Sequence, residues 1–254
     1  MSLANLIDYQ RVRKVYNSGP DEVVALEEVS FAVGEGEFVT VVGRSGCGKT
    51  TLLKLTAGLL APTAGTVHVA RASVQGPLTN VGVVFQSPVL LAWRKTLDNV
   101  LLQIEARKLK VEDYRQRALE LLELTGLKGF EDKYPNELSG GMQQRVSISR
   151  ALIHDPPLLL MDEPFGALDA ITRDEMNLEL LRIWGEAKKT VLFITHSIAE
   201  AVFLGDRVIV MTPRPGKVSE IVKLDLPRPR KTAMRDDPKF ISYVKHIRES
   251  LGVL

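Results

Sequence analysis

"GRSGCGKT", which runs from Gly43 to Thr50, matches the pattern G-x-x-x-x-G-K-[ST] and gives the firmest indication of the fold. Glycines in this pattern let backbone N–H groups surround phosphate oxygens, and a helix starting near Lys49 would add its positive end. Lys49 would reach the outer phosphates, while the Thr50 hydroxyl could bind Mg²⁺. The pattern lies between a predicted strand, "EFVTVVG", and a predicted helix, Lys49 to Ala57, as such a loop requires. We therefore predict a phosphate-binding loop over residues 43–50, called the phosphate loop below.

Cys47 lies inside this loop and is the chain's single cysteine. One interpretation is a thiol whose alkylation would block nucleotide binding, and the other, which we favour, is a small residue without a catalytic role. A single cysteine excludes an intramolecular disulfide and a zinc site built from several cysteines. It also suits a reducing cytosol.

The composition is that of an ordinary globular protein of one or two domains, with 45% apolar and 25% charged residues among 254. A formal charge of +2 is too small to indicate a nucleic-acid partner. The N-terminus lacks the pattern of a signal peptide, and no apolar run approaches the roughly 20 residues of a membrane helix. A role at a membrane would therefore need a partner, and the basic run "RPRKTAMR" (Arg228–Arg235) is predicted to be a solvated tail.

The order of predicted elements indicates an α/β fold. The first forty residues alternate as strands do, and residues 88–155 carry apolar side chains at helical spacing. Short apolar runs then follow, "LLLMDE", "TVLFITH" and "RVIVM", separated by helical stretches. This rhythm is typical of a parallel sheet covered on both faces.

A pair of carboxylates indicates a hydrolytic centre. The apolar strand of "PLLLMDEP" would deliver Asp162 to the carboxyl edge of the sheet, where open α/β sheets bind ligands. Asp162 could hold Mg²⁺ through water, and Glu163 could accept a proton from the attacking water. Two further strands end in His196 and Gln86, and the Gln86 amide could touch metal or water at the same edge.

A second glycine-bearing helix start, "ELSGGMQQR" (Glu137–Arg145), completes a set of motifs. Taken together, the segments resemble the nucleotide-binding subunit of an ATP-binding cassette (ABC) transporter over nearly the whole chain. The resemblance implies an α/β fold, a P-loop NTPase (RecA-like) core with an N-terminal antiparallel β subdomain and an inserted α-helical subdomain. The shared motifs, in order, are Tyr16, "GRSGCGKT", the glutamine of "VFQSP", "LSGGMQQR", "LLLMDEP", "ALD" (Ala167–Asp169) and "TH" (Thr195–His196).

The same resemblance predicts one ABC ATPase domain over residues 1–254. Residues 1–87 would form the β subdomain and the first part of the nucleotide-binding core. The helical subdomain with the signature "LSGG" would span residues 88–155. Residues 156–225 would complete the core, and residues 226–254 would form a short C-terminal tail.

The resemblance also implies roles for single residues. Tyr16 would stack on adenine, and Gln86 would sense Mg²⁺ and couple the site to the membrane subunit. His196 would contact the γ-phosphate, and Asp169 would act across a dimer interface. Two such subunits pair head to tail in this family, so the signature would bind the γ-phosphate of the partner's ATP through Ser139, Gly140 and Gly141.

One residue departs from the family pattern. Met142 follows the two glycines where many cassettes carry glutamine, and its spacing with Val146, Ser149 and Ile153 suggests packing instead. Gln143 is the next candidate for a polar contact. The expected catalytic residues are Glu163, His196, Gln86 and Lys49, and the expected metal ligands are Thr50, Gln86 and Asp162. The expected nucleotide contacts are Tyr16, Gly43, Arg44, Ser45, Gly46, Cys47, Gly48, Lys49, Thr50, Thr51, Ser139, Gly140, Gly141, Gln143 and Asp169.

Details of the sequence favour an importer. The segment "AVFLGDRVIVMTPRPGKVSEIVKLDLPRPR" resembles the end of the nitrate, sulfonate and taurine group of bacterial uptake systems. The resemblance implies ATP and Mg²⁺, a head-to-tail homodimer, two permease subunits and an extracytoplasmic solute-binding protein. It also implies a peripheral location on the cytoplasmic face of the plasma membrane. Trp93 is either a permease contact or a core residue. The alternatives are a stand-alone ATPase acting on nucleic acid or ribosomes, although no nucleic acid is expected, and the separate ATPase subunit of an exporter.

Overall fold

The computed structural model describes residues 5–17, 19, 21–166, 168–187 and 189–252. The chain divides into two compact units, the first made of residues 1–79 and 177–254 and the second of residues 80–176. In chain order the elements are β1 (Asn5–Tyr16), β2 (Val23–Gly34), β3 (Phe38–Val42), α1 (Lys49–Thr56), β4 (Ala64–Val69), β5 (Ala72–Ser73), β6 (Val81–Val84), α2 (Thr96–Ala106), α3 (Val111–Leu124), α4 (Gly140–Leu152), β7 (Leu158–Asp162), α5 (Ala170–Ala187), β8 (Thr190–Ile194), α6 (Ile198–Leu204), β9 (Arg207–Met211), β10 (Val218–Lys223) and α7 (Pro238–Ser250).

An antiparallel sheet in the order β2-β1-β4-β5 opens the first unit. Its apolar side chains alternate with polar ones, so that one face is buried, as in half-buried strands generally. Ile7, Tyr9 and Val12 of β1 are buried, and the Tyr9 ring stacks on Phe31 of β2 with 4.4 Å between centroids. This sheet lies where the N-terminal β subdomain was predicted.

Parallel strands form the rest of the first unit's core. β3 pairs in parallel with β8 and with β9, while β10 pairs antiparallel with β9. Every residue of β3 and β8 is buried, which is why both sequences are continuous apolar runs. Val41 pairs with Ile194, so β3 and β8 end together. The phosphate loop and His196, which follow these two strands, therefore start from the same edge.

The second unit combines a pair of parallel strands with helices. β6 and β7 pair from Val81–Leu158 to Val84–Met161, so the segments that carry Gln86 and Asp162 begin at one edge. Helix α2 packs against α3 and α4, and α4 packs against β6. Gly82 permits that last contact, because a Cβ there would lie 2.6 Å from the Ala151 carbonyl oxygen. Helices α2–α4 lie within residues 88–155, where the spacing of apolar residues predicts helices.

The C-terminal segment corrects part of one expectation, the solvated tail over Arg228–Arg235, since Lys231 is exposed as predicted whereas Arg230 is buried. Arg230 is only 5% exposed, because its guanidinium binds backbone carbonyls at the end of α6. Further on, α7 buries Phe240 and Ile247 and packs on α6 and β10. Among the described helices, none combines the length and the apolar character that a membrane crossing needs.

Candidate ATP-binding and hydrolysis site

The phosphate loop ends in a helix start that suits an anion. Gly46 and Gly48 have φ values of 76° and 99°, which other residues rarely adopt, so glycine is needed at both positions. Helix α1 begins directly afterwards at Lys49, and no side chain of the described residues caps it. The N–H groups of its first turn are thus available to phosphate oxygens.

Lys49 places a positive charge inside the loop. Its side chain is 6% exposed, and its Nζ donates to the carbonyl oxygens of Gly43 at 2.8 Å and Arg44 at 3.2 Å. Carbonyl oxygens carry only partial charge, so a phosphate would be a stronger partner for this ammonium. The arrangement fits the predicted role of Lys49 in holding the outer phosphates of a nucleotide.

A turn between β9 and β10 supports the loop from outside. A Cβ at Gly216 would lie 2.0 Å from the Cys47 carbonyl oxygen, so only glycine allows the two backbones to approach this closely. Arg214 adds a hydrogen bond from its Nε to the Gly46 carbonyl at 3.2 Å. On another side, Arg44 donates to the Gly252 carbonyl at 2.9 Å. Sequence reasoning missed these contacts, since the partners lie about 170 to 210 residues apart in the chain.

Cys47 is a packed residue of the loop. Its side chain is fully buried, and burial raises the pKa of its thiol above the ordinary value. A Cβ added at Gly43 would lie 2.6 Å from the Cys47 Sγ, so the side chain fills the space beneath the loop. This burial supports the interpretation of Cys47 as a small packing residue with low reactivity.

Thr50 and Tyr16 lie at the first turn of α1. The Thr50 residue is exposed, and its hydroxyl oxygen is a hard donor of the kind that Mg²⁺ prefers. The Tyr16 hydroxyl lies 3.1 Å from the Thr51 Oγ1, which ties the tyrosine to the first turn of α1. The Lys14 Nζ lies 5.4 Å from the centroid of the Tyr16 ring. Adenine stacking by Tyr16 stays a prediction.

In the second unit, the two predicted carboxylates lie at the end of β7. Asp162 is the last residue of the strand and is 3% exposed, while Glu163 is partly exposed. The Gln86 Nε2 donates to the Glu163 Oε2 at 3.3 Å, so the structure brings these two predicted residues together. Carboxylate and amide oxygens suit Mg²⁺ as a ligand set, and they also suit the activation of water.

The signature begins helix α4. Ser139 is the N-cap residue, and its Oγ accepts a hydrogen bond from the Met142 N–H at 3.3 Å. Ser139 and Gly140 are exposed, and a Cβ at Gly140 would meet no described atom within 4 Å. The open helix start can therefore accept an anion from outside the chain. Met142 is half-buried.

Gln143 and Asp169 make contacts within the chain. The Gln143 Nε2 donates to the carbonyl oxygens of Pro135 at 2.9 Å and Leu138 at 3.2 Å. The Asp169 carboxylate accepts from the Thr172 N–H at 3.0 Å and the Thr172 hydroxyl at 2.7 Å, so it caps the start of α5. These bonds lower the pKa of Asp169. The roles of both residues toward a nucleotide stay predictions, and Ala167 of the "ALD" motif lies outside the described residues.

His196 is exposed between β8 and α6, and the residues beside it are tied down. The Thr195 hydroxyl donates to Glu200 and accepts from the Ser197 N–H at 3.0 Å. Ser197 caps α6 by accepting from the Glu200 N–H at 3.3 Å. These bonds hold the backbone on both sides of His196.

Comparison with known proteins decides the family. Residues 26–166, more than half of the 254 in the chain, match the model of the family described as ABC transporter. The chain belongs to the ABC transporter family. The expected family is therefore confirmed, and so is its class of enzyme, an ABC transporter ATPase that binds nucleotide.

Two relatives in this ABC transporter family are named as import proteins. The chain is 44% identical over 238 residues to the nitrate import ATP-binding protein NrtD of Synechococcus elongatus, covering 92% of this chain and 87% of that protein. It is 48% identical over 219 residues to the taurine import ATP-binding protein TauB of Rhizobium johnstonii, covering 86% of this chain and 83% of that protein. The expected resemblance to the nitrate and taurine importer group is thus confirmed.

A solved ABC structure confirms the fold class. It is the dimeric post-hydrolysis state of the ATP-binding cassette MJ0796 bound to ADP and Pi. The TM-score is 0.80 at 35% identity, and the match covers 87% of this chain and 100% of that one. The fold is therefore the expected α/β P-loop NTPase core with an antiparallel β subdomain and a helical subdomain.

Trp93 resolves one open question about this ABC transporter subunit. Trp93 is 74% exposed, and Val89, four residues earlier in the chain, is 60% exposed. The interpretation of Trp93 as a core residue is therefore wrong. The chain there is held by Asn99, whose amide nitrogen donates to the Leu91 and Arg94 carbonyls at 3.1 Å and 2.9 Å. The loop thus presents two large apolar side chains to the outside.

Proposed function

We propose that the chain is the ATP-hydrolysing subunit of a bacterial importer of a small, anionic solute such as nitrate or taurine. The observation that carries ATP hydrolysis is the phosphate loop, with Lys49 buried inside it and the uncapped start of α1 beside it. The names of NrtD and TauB, which align over more than four fifths of both chains, support import. Residues 1–254 would form one ABC ATPase domain, divided as the sequence indicates.

The first unit would bind the nucleotide. The backbone N–H groups of residues 43–50 and the Lys49 ammonium would hold the phosphates, as their geometry allows. Tyr16 would stack on adenine, and His196 would contact the γ-phosphate. Thr50 would supply a hydroxyl ligand to Mg²⁺, and Asp162, which belongs to the second unit, is predicted to supply a carboxylate acting through water. When bound, Mg²⁺ would neutralise charge on the phosphates.

The second unit would activate water. Glu163 would accept a proton from the attacking water, and the Gln86 amide would orient the Glu163 carboxylate through the hydrogen bond described above. Gln86 would also sense the metal and report on it to the membrane subunit. These roles assign the chemical step to Glu163 and the coupling step to Gln86.

A homodimer would complete each site. Ser139, Gly140 and Gly141 would bind the γ-phosphate of the ATP held by the partner. They would not contact the nucleotide bound by their own chain. The exposure of Ser139 and Gly140 supports a contact in trans, and the dimeric structure of the cassette MJ0796 supports pairing. Head-to-tail pairing would place Asp169 at the interface.

Two permease subunits would receive the motion of the dimer. The exposed apolar pair Val89 and Trp93 follows Gln86 closely in the chain, so it is suited to contact a membrane subunit. An extracytoplasmic solute-binding protein would deliver the solute to that permease. The chain would lie peripherally on the cytoplasmic face of the plasma membrane.

The test measures what stimulates ATP hydrolysis. The permease is reconstituted in liposomes with its binding protein, and the chain is added with nitrate or taurine. Stimulation by one of these solutes is expected, and Trp93→Ala should abolish it while basal hydrolysis is kept. Phe130→Ala, which also removes an exposed ring of the second unit, is the matched control and should change neither rate. Stimulation by RNA or ribosomes in place of the permease would contradict the proposal.

A further inference from the structure

Helix α6 starts directly after His196 and is too short to be stable alone. It spans Ile198–Leu204, only 7 residues, whereas isolated helices below about 12 residues are marginal in water. Its buried residues Ala201 to Leu204 pack on β3 and α7, and contacts at its two ends add to this packing by setting where the helix begins and ends. At its start, Ser197 provides the N-cap, and the Thr195 hydroxyl is bound to Glu200.

Arg230 closes the other end of α6. Its Nη1 donates to the carbonyl oxygens of Val202 and Phe203, each at 2.7 Å, and its Nη2 donates to that of Gly205 at 2.7 Å. These carbonyls belong to the last turn and the C-cap, where a helix leaves acceptors unsatisfied and carries partial negative charge. The planar, forked guanidinium presents its donors to these carbonyls in a fixed geometry, whereas an ammonium presents all its donors from one nitrogen on a flexible stem.

Burial makes this cap costly to replace. Arg230 is 5% exposed, and desolvation followed by repulsion from Arg228 lowers its pKa to about 10. At neutral pH the guanidinium is therefore still charged. Losing it would leave buried carbonyl oxygens without a donor.

Arg228 extends the same support to the next residues. Its Nη2 donates to the Leu204 carbonyl at 2.8 Å and to the Asp206 carboxylate at 2.7 Å. Its guanidinium also stacks on the Trp184 ring, 4.0 Å from the ring centroid. The segment Arg228–Arg230 thus holds the end of α6 against the first unit.

We propose that Arg230 is a positioning residue for His196, acting through α6. The inference rests on the proposed contact of His196 with the γ-phosphate. His196 itself is exposed and directly precedes the N-cap of α6. Its backbone position follows from where α6 begins, and the Arg230 cap fixes where α6 ends. Loosening that cap misplaces the imidazole without removing any group that touches ATP.

The test is a double-mutant cycle on ATP hydrolysis by the purified chain. Arg230→Met should lower kcat about tenfold and leave the KM for ATP within about twofold, because a misplaced group affects the transition state most. Arg230→Lys, which keeps the charge but lacks the fork, should fall between Arg230→Met and wild type. Lys231→Met is the matched control, since the exposed Lys231 is the next residue, and it should have no effect.

The decisive rates are those in the His196→Ala background, followed in single turnovers with excess enzyme. There Arg230→Met should change the remaining rate by less than about twofold, because two residues that act through one contact are not additive. Losses that multiply would overturn the inference and leave the role of His196 standing. A wild-type rate for His196→Ala would overturn both.

The test remains decisive if Arg230→Met has a folding defect. If Arg230→Met fails to fold, Arg230→Lys completes the same cycle. A folded Arg230→Lys variant with a wild-type rate would overturn the inference. Thermal unfolding of each variant separates loss of stability from loss of rate, since a purely structural cap would lower the midpoint equally in both backgrounds and the rates multiplicatively.

Discussion

Glu163 has a backbone conformation that is rare for residues other than glycine. Its φ is 46°, in the left-handed region that costs a side-chain-bearing residue about 1–3 kcal/mol. Such residues are concentrated at functional sites, where the surrounding structure holds them in place. Here the strand β7 precedes Glu163, and the Gln86 amide binds its carboxylate. The strained position therefore supports Glu163 as the base.

Glu163→Gln keeps the shape of the side chain and removes its basicity. We expect hydrolysis to fall by about 10²–10⁴-fold, the contribution of a general base, while ATP binding is retained. A lasting dimer should then be detected by size-exclusion chromatography in the presence of Mg-ATP. Glu179→Gln, at a surface ion pair of α5, is the matched control. Turnover near the wild-type rate in Glu163→Gln would remove Glu163 from the base role.

Gly216 should control the phosphate loop without touching ATP. Gly216→Ala places a methyl group 2.0 Å from the Cys47 carbonyl oxygen, so the loop must shift. We expect the affinity for ATP, measured by equilibrium titration, to fall about tenfold, with a stability loss of about 1–3 kcal/mol typical of overpacking. Gly76→Ala is the control, since its Cβ would meet no described atom within 4 Å. Unchanged affinity in Gly216→Ala would show that the turn does not support the loop.

Helix α7 is held to β10 by one carboxylate. Glu220 lies 2.8 Å from the His246 Nε2 and accepts the Ser250 hydroxyl at 2.7 Å. These bonds, Ser250 first and then His246, lower the pKa of Glu220. A carboxyl group with a depressed pKa stabilises the fold above its ordinary pKa and loses that effect as the pH falls through the depressed value.

The contacts of Glu220 that hold α7 to β10 should therefore weaken in acid. Glu220→Gln should lower the stability at pH 6 by about 0.2–1 kcal/mol, as for other partly exposed pairs, and should speed hydrogen exchange at the end of α7. The difference from wild type should shrink as the pH falls below the ordinary glutamate pKa of about 4.3 and through the depressed pKa of Glu220. Glu249→Gln, on the same helix, should show no such difference. A gap between Glu220→Gln and wild type that stays constant as the pH falls below about 4.3 would contradict the assignment.

The core elements were predictable from the sequence, whereas the contacts of the C-terminal ones were not. Apolar runs such as those of β7 and β8 are continuous because both faces are buried, and this burial leaves a clear signal. Helix α7 carries the sequence signals of a helix, with Asp237 as N-cap, Pro238 at its first position, and Phe240 and Ile247 seven residues apart, but the sequence does not indicate which elements this apolar face packs against. The sequence predicts a solvated Arg230 because arginine is seldom buried unless its charge is satisfied. The carbonyl oxygens that satisfy it are distant in sequence and leave no local signal.

At the scale of the whole molecule, the site residues were predictable as motifs and their supports were not. The phosphate loop and the "LSGG" signature are local patterns in which spacing alone indicates chemistry. Gly216 supports the phosphate loop through a backbone approach that depends on how distant segments pack. The exposure of Trp93 depends likewise on the fold, since an apolar ring in the sequence does not indicate whether it faces the core or the solvent.

Ser139→Arg should separate nucleotide binding from dimer formation. The bulky cation occupies the exposed start of α4, where the γ-phosphate of a partner's ATP would bind, so closure on an ATP-loaded partner should be prevented while the phosphate loop is untouched. Because the N-cap is also lost, the stability should fall by about 1 kcal/mol. Equilibrium titration should give near wild-type ATP affinity, and ultracentrifugation should show no ATP-dependent dimer. Loss of ATP binding would contradict a signature that acts in trans.

The measurement that bears most directly on a shared ATP site is hydrolysis by mixed subunits. Lys49→Ala loses the phosphate-loop charge and Ser139→Arg loses the signature, so each variant alone should be inactive. Mixed in equal amounts they should recover up to about a quarter of the wild-type rate. About half of the dimers are then mixed, and in these the blocked signature faces the Lys49→Ala loop, which lacks the charge that holds ATP, while the other site is complete. A mixture that stays inactive at every ratio would contradict a site formed by the phosphate loop of one chain and the signature of another.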